Sequence, residues 1–251
     1  MSELAGKAAI VTGASRGLGR GIAVALHRSG ARVAMAARQA EPLRQAAAAI
    51  DPDPARVLAV PADVTDEAQV EALFAAVVAR FGGVDILVNN AGAFDGGAVD
   101  ALSLAAWNNV IQTCLTAAFL CTRAAFRHMK QRGGGRIINI GSISAQRPRL
   151  HSAPYTAAKH GLWGLTQATA LEGRPFGIAV SCLHPGNVLV ERRRGEDRRA
   201  DPASMVVDGA EPMMEVEEVA AVVVQMAGLP AHMNMLEAIV LPVRQAYLGR
   251  A

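Results

Sequence analysis

Tyr155-Thr-Ala-Ala-Lys159 sets a phenol and an ammonium four residues apart. On a helix that spacing puts both on one face. With two tyrosines and three lysines in the chain, chance would give this pairing only about 2% of the time. A free phenol loses its proton near pH ~10, too high for proton transfer at neutrality. A nearby cation favours the phenolate. Ser142 lies thirteen residues before Tyr155, just after the apolar segment Arg136–Ile140. A serine there reads either as a turn cap or as a second hydroxyl for the same reacting oxygen. Together these residues are suited to moving a proton onto or off a carbonyl oxygen.

A second signal follows the first apolar segment: Thr12-Gly13-Ala14-Ser15-Arg16-Gly17-Leu18-Gly19. Glycines there let the backbone turn sharply and approach a pyrophosphate at the next helix's N-terminus. The spacing is G-x-x-x-G-x-G rather than the common G-x-G-x-x-G. The second apolar segment ends Ala36-Ala37-Arg38, with no acidic residue to hold a ribose 2′-hydroxyl. Arg38, with Arg16 from the glycine loop, instead suits a 2′-phosphate. The expected cofactor is therefore NADP rather than NAD.

These residues must be positioned by an alternating scaffold. Ala8–Thr12, Arg32–Ala36, Val57–Val60, Val84–Asn89, Arg136–Ile140 and Ala179–Leu183 read as buried strands, and Ala238–Leu241 as a seventh. Helical patterns lie between them. The cleanest is Asp66–Phe81, with Val70, Leu73, Phe74, Val77, Val78 and Phe81 on one stripe, Thr65 as N-cap and Gly82 as its end. Such alternation implies an α/β doubly wound parallel sheet, Rossmann-type, in a single domain spanning 1–251. Of the 251 residues, 51% are hydrophobic but only 4% aromatic, so the core must be aliphatic. The net charge of +3 is too small and dispersed to argue for nucleic acid. No uninterrupted apolar run reaches the roughly 18 residues of a membrane span. Three cysteines make no disulfide framework, and Cys114 and Cys121, seven apart on one helix, stand roughly 10 Å apart. A reducing, cytoplasmic setting is expected.

Thr12–Gly19, Asn89-Asn90-Ala91-Gly92, Ser142, Tyr155-x-x-x-Lys159 and Pro185-Gly186 occur in the order and spacing of the short-chain dehydrogenase/reductase family, which the chain resembles over nearly its whole length. The resemblance implies a seven-stranded sheet and a homotetramer or homodimer. It implies that Gly13, Ser15, Arg16, Gly17, Leu18 and Gly19 bind the cofactor, and that Asp63 and Val64 contact the adenine. Asn90, Ala91 and Gly92 would line the cofactor cleft, with Pro185, Gly186 and Val188 near the nicotinamide. Tyr155 becomes the proton donor or acceptor, and Lys159 holds the nicotinamide ribose.

Departures from the family pattern are informative. Many members carry Asn where Cys114 stands, an Asn thought to hold a water that links the lysine to solvent. Cysteine is a weaker hydrogen-bonding group. Val190 replaces a common Thr, and the last strand runs into Pro242 instead of a Gly-Gly pair, as in a subgroup of small-alcohol and hydroxy-acid dehydrogenases. The stretch Glu191–Arg199, with Arg192, Arg193 and Arg194, falls in an expected substrate lid at about 187–212. It reads as a mixed-charge solvated loop before an anion site. His151 and His184 flank the site motifs and read as packed or surface residues. The histidines and cysteines show no metal-ligand spacing. The expected activity is NADP-dependent hydride transfer with a small-molecule ketone or secondary alcohol. The alternatives are a 3-oxoacyl-thioester reductase or a weakly active cofactor-binding subunit.

Overall fold

Seven short segments dominated by Val, Ile and Ala pair into one parallel sheet. A computed structural model of the chain describes residues 4–190 and 212–248. The strands are β1 (Ala8–Thr12), β2 (Arg32–Ala37), β3 (Val57–Pro61), β4 (Ile86–Asn89), β5 (Gly135–Ile140), β6 (Ile178–Pro185) and β7 (Glu237–Val240). Their order is β3-β2-β1-β4-β5-β6-β7. The order reverses at β1, where the carboxyl ends of β1 and β4 open a crevice suited to a ligand.

Helices cover both faces: α1 (Gly17–Arg28), α2 (Ala40–Ala48), α3 (Glu67–Phe81), α4 (Leu104–Ile111), α5 (Ala117–Arg132), α6 (Ala153–Gly173) and α7 (Val216–Gly228). Side chains alternate along each strand. Val11 of β1 therefore joins Ile22, Leu43 and Val223 of α1, α2 and α7. Its neighbour Ile10 joins Leu73, Phe74 and Leu120 of α3 and α5 on the other face. Both cores are aliphatic and alanine-rich, as the composition requires.

The cap of α3 differs from expectation. Asp66, not Thr65, is its N-cap, accepting from Ala68 N at 2.8 Å and Gln69 N at 3.2 Å. The Thr65 hydroxyl is engaged elsewhere, donating to Asp63 Oδ1 at 2.7 Å. Gly82 ends the helix at φ 79° as expected.

The helical run Leu104–Arg132 has the length and composition of a membrane span, at mean hydropathy 1.2. Apolar runs in the sequence hide this because Asn108, Asn109, Gln112 and Thr113 interrupt them. The run buries Val110, Cys114, Leu120, Cys121, Ala125 and Met129 inside the protein, as a core helix does. A single π turn, Gln112–Thr116, breaks it between α4 and α5. Such turns commonly mark functional positions.

Candidate active site

The glycine loop leaves β1 and enters α1 without a side-chain cap. Arg16 occupies the N-cap with no capping bond, and the first turn holds no acidic residue. The positive end of the helix therefore faces the cleft uncompensated. Asn90 braces the loop, with Nδ2 donating to Thr12 O at 2.9 Å and Gly13 O at 3.3 Å. Thr12 Oγ1 accepts from Asn90 N and Ala91 N, each at 3.0 Å. Gly19 cannot be replaced without disruption: a Cβ there would lie 2.3 Å from Asn90 Nδ2 and 2.4 Å from Gly13 O.

Arg38 follows the end of β2 and stands exposed, as does Arg16. Neither side chain forms an ion pair or hydrogen bond among the described residues. Asp63, after β3, accepts from Thr65 N at 3.0 Å with the oxygen that takes the Thr65 hydroxyl.

Ser142 follows β5 in an extended conformation and caps a short 3-10 turn, its Oγ accepting from Ser144 N at 3.1 Å. The two readings of this serine are thus compatible. The oxygen accepts, and its own O–H remains to donate. Tyr155 and Lys159 lie on the first turns of α6. Lys159 is 5% exposed, and its Nζ donates to Ile140 O at 2.7 Å. That bond holds the ammonium 5.5 Å from the centre of the Tyr155 ring. Phe94 packs edge-on against Tyr155, centroids 5.3 Å apart.

A cleft of about 840 Å³ joins these parts. Gly13, Ser15, Arg16, Gly17, Leu18, Gly19, Arg38, Asp63, Val64, Asn90, Ala91, Gly92, Ser142, Tyr155, Lys159, Pro185, Gly186 and Val188 all line it. Every residue expected at the site is brought to this one crevice. Its volume, the open helix end and the unpaired arginines fit a phosphorylated dinucleotide. Val190 also lines it, with no hydrogen-bonding side chain to offer. A second cavity, about 620 Å³ between α1 and α7, is lined by none of Ser142, Tyr155 and Lys159.

Cys114 sits on the π turn, 1% exposed. Its Sγ donates to Ala93 O at 3.2 Å and accepts from Ala93 N at 3.3 Å. The thiol thus holds the backbone just after the Asn90-Ala91-Gly92 segment. Cys121 and Cys182 are also free and buried, and burial pushes both thiols up to about 12.

Sequence reasoning missed Phe94, Arg149 and Asn187, which also line the cleft. Arg149 Nη2 donates to Asn187 Oδ1 at 2.7 Å. No motif flags them, because their positions depend on loop geometry. His151 is exposed at φ 59°. His184 is fully buried behind Ser142. Arg192, Arg193, Arg194 and most of the expected lid lie outside the described residues. Among the described residues no cluster of three or more His, Cys, Asp or Glu could hold a metal.

The short chain dehydrogenase family model matches residues 7–201. A Streptomyces violaceoruber protein named for a ketoacyl reductase role in the granaticin polyketide synthase is 42% identical over 191 residues, 74% of this chain and 70% of its own. The 3-alpha-(or 20-beta)-hydroxysteroid dehydrogenase of Mycobacterium bovis is 40% identical over 186 residues, with 74% and 70% covered. A crystal structure of a variant actinorhodin polyketide ketoreductase with NADPH superposes at TM-score 0.84. It is 34% identical and covers 94% of this chain and 95% of that one. The chain belongs to the short-chain dehydrogenase family, and it is an oxidoreductase acting on CH–OH or ketone groups.

Proposed function

We propose that this protein is an NADPH-dependent ketone reductase in which Ser142, Tyr155 and Lys159 are the catalytic groups. The observation that carries the cofactor preference is the pair Arg16 and Arg38, both lining the cleft and both unpaired among the described residues. Their guanidinium groups suit a ribose 2′-phosphate. The open N-terminus of α1 takes the pyrophosphate. Asp63 and Val64 would border the adenine, Asn90–Gly92 would line the cofactor cleft, and Pro185, Gly186 and Val188 would lie near the nicotinamide. When bound, the reduced nicotinamide supplies the hydride that converts a ketone to a secondary alcohol.

The chain's own groups handle the oxygen. Tyr155 Oη gives its proton to the carbonyl oxygen as negative charge develops there. Ser142 donates a hydrogen bond to the same oxygen. Lys159, fixed by Ile140 O, stabilises negative charge left on the tyrosine oxygen. Low water access at the buried Lys159 and Ser142 strengthens these interactions.

A 3-oxoacyl thioester is the first substrate class to examine. Support comes from the relatives named for ketoacyl reduction; the hydroxysteroid and gluconate dehydrogenases keep other ketones in view. The deciding assay follows NADPH oxidation against a panel of 3-oxoacyl thioesters, β-ketoesters and cyclic ketones. Turnover with NADPH well above NADH is expected. Tight NADPH binding with no oxidation across the panel would instead favour a low-turnover cofactor-binding subunit.

The single-domain organisation, a homotetramer or homodimer, and a cytoplasmic location remain part of this proposal. Leu104, Trp107 and Phe119 on the outer face of α4 and α5 are exposed, which supports self-association. Light scattering of the purified protein measures it directly.

A further inference from the structure

Any role in placing Ser142 rests on the proposed function, in which its hydroxyl meets the substrate oxygen. Ser142 is held from behind. Its carbonyl accepts from Ala145 N at 2.9 Å. Its own N–H is buried and has one acceptor among the described residues, His184 Nδ1 at 3.3 Å. His184 is 0% exposed, near the end of β6, with its ring edge-on to Trp163 at 5.7 Å. Gly141 permits this approach, since a Cβ there would lie 2.5 Å from Nδ1. On the far side of the ring, Nε2 faces Glu237 Oε1 of β7 at 3.4 Å. This is ion-pair distance, short of an aligned hydrogen bond. Glu237 Oε1 in turn accepts from Gln146 Nε2 at 2.7 Å, and Gln146 Oε1 accepts from Tyr247 Oη at 2.5 Å.

A neutral imidazole carries one proton on one of two nitrogens. On Nδ1, that proton would point to Ser142 O, 2.9 Å away. It would also leave the Ser142 N–H without an acceptor and turn the Nε2 lone pair toward a carboxylate. On Nε2, the proton faces Glu237, and the bare Nδ1 accepts the Ser142 N–H. Each arrangement leaves one buried N–H without a hydrogen bond, Ser142 N–H in the first and Nε2–H in the second, and the second also sets the bare Nδ1 2.9 Å from Ser142 O. The Glu237 carboxylate decides, because it attracts an N–H at 3.4 Å and repels a bare lone pair there, so the second arrangement wins. We infer that His184 is a positioning residue for Ser142, held by Glu237 as the Nε2–H tautomer so that Nδ1 anchors the serine's backbone amide. The edge strand β7 thereby acts on the reacting hydroxyl through a buried ring.

The same geometry has a pH signature. Burial holds the His184 pKa below its ordinary value; the Ser142 backbone contact and the Glu237 carboxylate oppose this, and the Lys159 charge reinforces it. The other titratable group against the ring, Cys182, stays a neutral thiol at about 12. In acid the second proton goes to Nδ1, which can then only donate, and the Ser142 amide loses its acceptor. Turnover therefore falls below the His184 pKa. Removing the Glu237 charge lowers that pKa further and moves the acid limb to lower pH.

The test compares His184→Asn, whose amide oxygen reaches the Nδ1 position, with His184→Gln, whose amide reaches Nε2. Each is assayed by NADPH oxidation with acetoacetyl-coenzyme A from about pH 5 to 8. Expected for His184→Gln is a roughly 5- to 20-fold fall in kcat with KM changed less than about threefold. His184→Asn should recover most of that loss, and Glu237→Gln should displace the acid limb downward. Independently of turnover, nitrogen NMR of protein carrying isotope-labelled histidine, with the His184 signals assigned by their loss in His184→Asn, should show Nε2 protonated at neutral pH. A protonated Nδ1 in that spectrum, or equal kcat for the Asn and Gln variants, overturns the inference. Failure of the wild type to reduce any ketone counts against the proposed function instead, and the spectrum still decides the tautomer.

Discussion

Replacing Arg38 with serine should weaken NADPH binding and leave NADH binding nearly unchanged. Arg38 is exposed at the end of β2 and lines the cleft beside Arg16, with no acidic partner among the described residues. The reference state therefore contains no ion pair to break. A unit charge about 4 Å from another gains roughly 1 kcal/mol in a water-like medium. A phosphate carries between one and two charges near neutrality, so the raw gain is about 1.5–2 kcal/mol. Salt at physiological strength, with a screening length of about 8 Å, trims this modestly. Near 1.4 kcal/mol remains, which is about tenfold in Kd. If the two arginines act independently, Arg16→Ser with Arg38→Ser should reach about a hundredfold. NADH lacks the phosphate, and its Kd should move less than about twofold by the same reasoning. Calorimetric titration with both cofactors at two ionic strengths measures this, and the wild-type NADPH affinity should show the steeper salt dependence. Equal losses for both cofactors, or a wild type that binds NADH as tightly as NADPH, would refute the reasoning.

Tyr155→Phe should lower kcat by about 10²–10⁴ with NADPH affinity preserved, because the ring and its Phe94 contact stay while the proton donor goes; full activity would remove the phenol from the mechanism. Cys114→Asn should leave turnover within about threefold, because the thiol already meets both backbone groups of Ala93 and a second hydrogen-bonding group adds little; a large rise would instead reveal an impaired relay in the wild type. Arg136→Met should destabilise the fold by about 2–4 kcal/mol, read as a lower denaturant midpoint. The Arg136 guanidinium reaches the carbonyls of Leu229, Pro230 and Met233, and its loss strands carbonyls just past the C-terminus of α7. An unchanged midpoint would show that water serves those carbonyls equally well.

Period and spacing made the sheet and its cleft readable. The apolar runs were long enough and β-branched enough to place all seven strands within a few residues, because both faces of the sheet are covered and register matters on each. The motif residues converge on one crevice because they stand at the carboxyl ends of the strands or on the loops and helices that follow them. What stayed hidden depends on local competition or on loops. Thr65 and Asp66 are equally plausible caps in sequence, and only the Asp63 carboxylate, by taking the threonine hydroxyl, decides between them. The π turn at Gln112–Thr116 has no composition signal, yet it sets Cys114 against Ala93. Phe94, Arg149 and Asn187 reach the cleft through loop paths that no periodicity encodes.

The three proposed catalytic side chains are each anchored to a different non-catalytic group. Lys159 hangs from the carbonyl of Ile140, Ser142 rests on Ser144 N through its oxygen and on His184 through its amide, and Tyr155 leans on Phe94. Every one of these anchors is a group of the protein itself, and fixed polar groups of this kind are what make electrostatic stabilisation of a developing oxyanion effective. It also separates position from chemistry. Removing the Tyr155 hydroxyl leaves the anchors of Lys159 and Ser142 intact, whereas altering Gly141, His184 or Phe94 disturbs an anchor while every reacting atom remains. The first kind of change should appear in the chemical step alone. The second should also change how turnover depends on pH or on substrate shape, and the Asn and Gln replacements at His184 are chosen to expose that difference.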